Sequence, residues 1–71
     1  MMNYKLDLKK GDYITQTQRK LFPYALKWCL ENGETSCRAN RTYFNFDFEK
    51  LEVNINGIGY GNNNTYKMKR C

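Results

Sequence analysis

Seventy-one residues, 8.5 kDa, leave room for one domain and exclude a deep substrate cleft beside a core. Twelve Lys and Arg against seven Asp and Glu give a net charge of +5, which favours an acidic partner and excludes an acidic DNA mimic. Aromatic residues at 15% of the chain supply enough large side chains for a core, so the bulk of the chain is not disordered.

Along the chain, Asn3 to Lys9 alternates Tyr4, Leu6 and Leu8 with Lys5, Asp7 and Lys9, the period of a strand with one buried face. Lys10-Gly11-Asp12 follows as a turn. Thr15 and Gln18 have the spacing of a capping box at a helix start. Leu21, Phe22, Ala25, Leu26, Cys29 and Leu30 then form a stripe at three- and four-residue steps, with Arg19, Lys20, Lys27 and Glu31 away from it. Asn32-Gly33 ends the helix, Gly33 suiting the left-handed closing position. Pro23 interrupts the pattern: either the helix kinks there, or an irregular segment leads into a shorter helix beginning near Phe22 or Pro23; a helix is expected over at least Pro23 to Asn32.

After Gly33 the period is that of strands. Thr35 to Ala39 is a short one. Arg41 to Phe48 sets Thr42, Phe44, Phe46 and Phe48 on one face and Tyr43, Asn45 and Asp47 on the other. Leu51, Val53 and Ile55 alternate with Glu52, Asn54 and Asn56, and Glu49-Lys50 makes the hairpin between the two runs. Gly57 to Asn64 reads as a hairpin tip, from which Thr65 to Arg70 returns with Tyr66 and Met68 as its apolar positions. The expected fold is α+β: one N-terminal strand, one helix, then a three- to four-stranded antiparallel meander with the helix on one sheet face. A single helix hides one face only. The other is wet or covered by a partner, and an unpaired first or last strand leaves a homodimer open.

Amides and a ring on an open sheet, flanked by cations, suit single-stranded nucleic acid: rings stack on bases, amides bond base edges, cations meet phosphates. The residues expected in these roles are Arg38, Arg41, Tyr43, Asn45, Lys67, Lys69 and Arg70, with Tyr60 anchoring the tip. The expected partner is RNA or another single-stranded nucleic acid. The alternative is a host protein or ribonucleoprotein engaged through Tyr24, Trp28 and Tyr60, large side chains of the kind that anchor interfaces.

Catalysis is not expected. Histidine is absent, which removes the usual general base and a common zinc ligand. Asp47, Glu49 and Glu52 read as solubilising charge around a turn. Gly57-Ile58-Gly59-Tyr60-Gly61 lacks the spacing and the following helix of a phosphate-binding loop. No metal or other cofactor is implied: Cys29, Cys37 and Cys71 do not make up a zinc site or a disulfide framework. No apolar run approaches the ~20 residues of a membrane span, so the expected location is the cytoplasm with reduced thiols.

Arg41-Thr42-Tyr43-Phe44-Asn45-Phe46-Asp47-Phe48 resembles in part the longer signature strand of RNA-recognition motifs, matching at Arg41, Tyr43 and Phe48. It departs at Thr42 and Phe44, where that family has small residues, and at Asn45, where it has a second stacking aromatic. There is also no room for the family's second helix, so membership is rejected. In size and composition, as in Asn62-Asn63-Asn64, the chain resembles small accessory proteins of tailed bacteriophages. That resemblance implies an inhibitor or modifier of a host system such as a defence, a toxin or RNA metabolism.

Overall fold

The segments with period two become strands and the segment with the 3.6-residue period becomes a helix. The computed structural model describes residues 3–57 and 62–71. In chain order the elements are β1 (Tyr4–Asp7), α1 (Gln16–Asn32), β2 (Ser36–Ala39), β3 (Thr42–Asp47), β4 (Glu52–Gly57) and β5 (Asn62–Arg70). One five-stranded sheet has the order β1-β5-β4-β3-β2, every neighbouring pair antiparallel. β2 to β5 form the expected meander. β1 adds beside β5, and the fold is α+β with α1 on one face.

The helix starts at the capping box. Thr15 Oγ1 accepts from the Gln18 N–H at 3.1 Å, and Gln18 Oε1 accepts from the Thr15 N–H at 3.3 Å, which satisfies two donors the first turn would leave bare. Pro23 therefore lies inside one continuous helix. It has no N–H to give to the Arg19 carbonyl, a loss tolerated because Phe22, Ala25, Leu26 and Cys29 bury around it. Gly33 closes the helix at φ 66°, ψ 27°, its N–H donating to the Cys29 carbonyl.

Two stripe residues depart from expectation. Leu30 is exposed and Leu21 only half-buried. The reason is the seat of the helix: α1 packs on β2 and β3, off the centre of the sheet, so the Leu30 flank faces β1 across an open groove instead of being covered.

The strand phase is as read. Thr42, Phe44 and Phe46 of β3, Val53 and Ile55 of β4, and Tyr66 and Met68 of β5 are buried under α1, together with Tyr4 of β1. Phe44, Phe46 and Phe48 form a ring row with centroid spacings of 6.2 and 5.5 Å; Phe22 of the helix meets Phe46 at 5.9 Å, and Tyr4 joins against Phe48 at 5.1 Å. Ala39 faces Thr42 across a two-residue turn in which Asn40 (φ 47°) and Arg41 (φ 62°) are both left-handed, the twist antiparallel hairpins prefer. At the β3–β4 turn, Asp47 Oδ1 accepts from the N–H groups of Glu49 and Lys50 at 3.2 and 3.0 Å.

The expectation of a tip running from Gly57 to Asn64 is corrected at both ends. Gly57 belongs to β4 and Asn62 to Asn64 to β5, paired as Gly57–Asn62, Asn56–Asn63 and Ile55–Asn64. The register set by Val53 opposite Tyr66 carries these asparagines into the ladder, overriding their preference for turns. Residues 58–61, and with them Tyr60, lie outside the described residues.

Candidate functional site

Two surfaces stand out: the sheet face turned away from α1, and the helix with its two flanks.

Strand register arranges the open face in rows. Arg38, Tyr43, Asn56 and Asn63 form one, and Ser36, Asn45, Asn54 and Thr65 the next. The third runs Asp47, Glu52, Lys67, Asp7, and a fourth pairs Lys69 with Lys5 at the β1 edge. Strand register thus pairs Arg38 with Tyr43 and sets Asn45 in the adjacent row. The Arg38 guanidinium lies 6.0 Å from the Tyr43 ring centroid, a cation–π contact that holds the half-exposed ring beside a charge.

The remaining expected contacts disperse. Lys67 and Lys69 lie across the sheet from Arg38, on β5, and Lys67 Nζ is paired with the Glu52 carboxylate. Arg41 is at the β2–β3 turn. Arg70, opposite Tyr4, points by strand alternation to the helix side. On the open face four cations (Lys5, Arg38, Lys67, Lys69) meet three acids (Asp7, Asp47, Glu52), so most of the chain's charge of +5 is elsewhere. The amides are also partly engaged with each other: Asn54 Nδ2 donates to Asn63 Oδ1 at 2.7 Å and to Thr65 Oγ1 at 3.1 Å.

On the helix, Tyr24 and Trp28 are four residues apart and therefore neighbours on one flank. Tyr24 is 73% exposed and Trp28 48%. The opposite flank borders a groove of about 1010 Å³ between α1 and β1. Phe22, Leu26 and Leu6 line it, Pro23 and Leu30 form the helix wall, and Arg19, Lys27 and Glu31 the charged rim. Leu30 was the available signal for it, an apolar residue at the margin of the helical stripe. Nothing in the linear pattern says that this margin is left uncovered.

The groups considered for chemistry have structural partners. Asp47 holds its turn and Glu52 its lysine. Cys29 is fully buried, and desolvation, reinforced by the neighbouring Cys37 thiol and Glu34, pushes its pKa up to about 12, leaving it protonated at neutral pH. Cys37 Sγ approaches the Ala25 carbonyl at 3.7 Å, and Cys71 is exposed. The Tyr66 hydroxyl donates to the Tyr13 carbonyl, and burial raises its pKa. Among the described residues no group of three His, Cys, Asp or Glu side chains is placed to hold a metal ion, and no helix is long and apolar enough to cross a membrane.

No protein-family model matches the chain, and no curated protein or solved structure is significantly similar to it.

Proposed function

We propose that this chain is a non-catalytic binding domain whose partner is a protein, engaged through the Tyr24–Trp28 flank of α1. The observation that carries the reading is the exposure of both rings on a regular helix while the cations proposed for phosphate scatter over two faces and a turn. An exposed Trp beside an exposed Tyr costs solvation without serving the core, and such pairs are the side chains on which interface energy concentrates. The compositional resemblance to phage accessory proteins extends the proposal to a host target, a defence, toxin or nucleic-acid enzyme, met in the host cytoplasm.

Affinity capture from host lysate with the wild-type chain, compared with Trp28→Ala and Tyr24→Ala, tests this. Loss of a hot-spot ring costs about 2 kcal/mol or more of binding, roughly a thirtyfold weaker complex, with the melting temperature of the free chain nearly unchanged. Equal capture by all three would remove the helix flank from consideration.

A second reading, single-stranded RNA on the open face, is favoured by the Arg38–Tyr43 pair and the amide rows beside it. Stacking on one ring contributes roughly 1–3 kcal/mol per base. Under this reading, fluorescence anisotropy with a mixed-sequence RNA detects binding at about 50 mM salt that weakens at about 200 mM. Tyr43→Ala then weakens it without unfolding the domain. No binding at the lower salt retires the reading.

A further inference from the structure

The groove between α1 and β1 is bounded on one side by a strand whose outer edge has no neighbour among the described residues. β1 is last in the sheet order, and β5 occupies only one of its edges. The Cys71 N–H donates to the Asn3 carbonyl at 3.0 Å, which makes Asn3–Cys71 a hydrogen-bonded pair. By antiparallel alternation Lys5–Lys69 and Asp7–Lys67 are hydrogen-bonded pairs too, and Tyr4 and Leu6 turn their backbone groups outward. The outward Tyr4 N–H is met only by the neighbouring Asn3 side chain, Oδ1 at 3.0 Å. The edge therefore presents the Tyr4 carbonyl and both backbone groups of Leu6 beside an apolar trough.

We propose that this edge is a strand-addition site for an extended acidic peptide of a partner protein, one in which apolar and acidic residues alternate. A peptide paired with β1 sends every second side chain to the helix side of the sheet, toward the groove lined by Leu6, Phe22 and Leu30. The intervening side chains emerge on the open face beside Lys5. There Lys5 and Lys69 are directly opposed like charges, an arrangement that destabilises an antiparallel pair and that a carboxylate on the added strand relieves. On the helix side, the rim cations Arg19 and Lys27 outnumber Glu31 and favour carboxylates where the peptide leaves the trough. Pro23 adds to this wall, since the Arg19 carbonyl lacks its helical donor there. The site is on the flank of α1 away from Trp28. It shares with the proposed function only the premise that the partner is a protein.

The test uses the full chain and a short labelled peptide alternating glutamate with valine, with a lysine–valine peptide of the same length as control. Anisotropy is expected to give saturable binding of the glutamate peptide at least about tenfold tighter than that of the lysine peptide. Lys5→Glu and Leu30→Asp, both at exposed positions, should each abolish the preference, and amide shifts on binding should centre on Tyr4 to Asp7. Trp28→Ala should leave peptide binding unchanged, which separates this site from the helix flank. Equal binding of both peptides, or binding indifferent to Lys5→Glu and Leu30→Asp in folded variants, would overturn the proposal. So would displacement of the peptide by single-stranded RNA. A concentration-dependent dimer in light scattering that Lys5→Glu alters and the peptide does not dissociate would assign the edge to a second copy of the chain.

Discussion

Replacing Phe46 with alanine is expected to destabilise the domain by roughly 3–5 kcal/mol, the cost of removing a buried ring and leaving its cavity. Phe46 is 5% exposed and sits at the centre of the ring row, flanked by Phe44 and Phe48 in nearly parallel stacks and met by Phe22 from the helix. No neighbour can fill the space without dismantling that row. At about 0.05–0.15 kcal/mol per residue, a chain of this size has roughly 4–10 kcal/mol of total stability, so the loss is most or all of it. Urea denaturation followed by circular dichroism should show a variant partly unfolded before denaturant is added. Tyr43→Ala, on the same strand but in the opposite phase and on the open face, should stay within about 1 kcal/mol of wild type. Retained stability in Phe46→Ala would mean that the phase of β3 is reversed.

The domain is also expected to lose stability steeply in alkali. The folded-state pKa of Cys29 is about 12 against an ordinary value of 9.0. Below pH 9 the thiol is protonated in both states, and its burial carries no penalty. Between pH 9 and pH 12 the unfolded chain releases this proton and the folded chain retains it, so stability falls as pH rises across that window. At pH 10.5 the loss from this group alone is about 2 kcal/mol. Tyr66, also raised by burial, acts with the same sign. Urea midpoints measured at pH 7.5 and pH 10.5 should therefore fall further for wild type than for Cys29→Ala, whose baseline is lower but whose alkaline slope is shallower. In a thiol-labelling assay at neutral pH, Cys71 should react at once and Cys29 only on unfolding. Equal alkaline slopes in the two proteins would show that the thiol ionises without opening the core.

Much of the fold could be read from local pattern, because each element depends on near neighbours. Thr15 and Gln18 cap a helix through contacts three residues apart. Gly33 closes it because a left-handed residue is needed there and glycine adopts that geometry without strain. The alternation of Phe44, Phe46, Val53 and Ile55 leaves one register that buries them all. Pro23 and Asn62 to Asn64 went against local preference for one reason: packing of the helix stripe and pairing with β4 outweigh a missing helical bond and a turn-prone composition. The candidate site was less legible. Arg38 and Tyr43 do meet, since they are paired across β2 and β3, and Asn45 follows Tyr43 on the same face of β3. Lys67, a phosphate contact by its place in the basic C-terminal run, is instead paired with Glu52, a residue fifteen positions away whose approach depends on the β4–β5 register.

The sequence by itself determined the class of fold, the inward and outward faces of β1, β3, β4 and the Tyr66–Met68 part of β5, and the glycine that ends the helix, because period, caps and turns are short-range properties of the chain; the choice between a start at Thr15 and one near Pro23 was made by packing. The tertiary structure alone decided where the helix lies on the sheet, and so left Leu30 and the trough beside β1 open. It also decided that β1 joins β5 and becomes an edge, and that the cations disperse. These depend on the angle and offset at which a three-turn apolar stripe meets a twisted sheet, which is set by the fit of particular side chains such as Phe22 against Phe46.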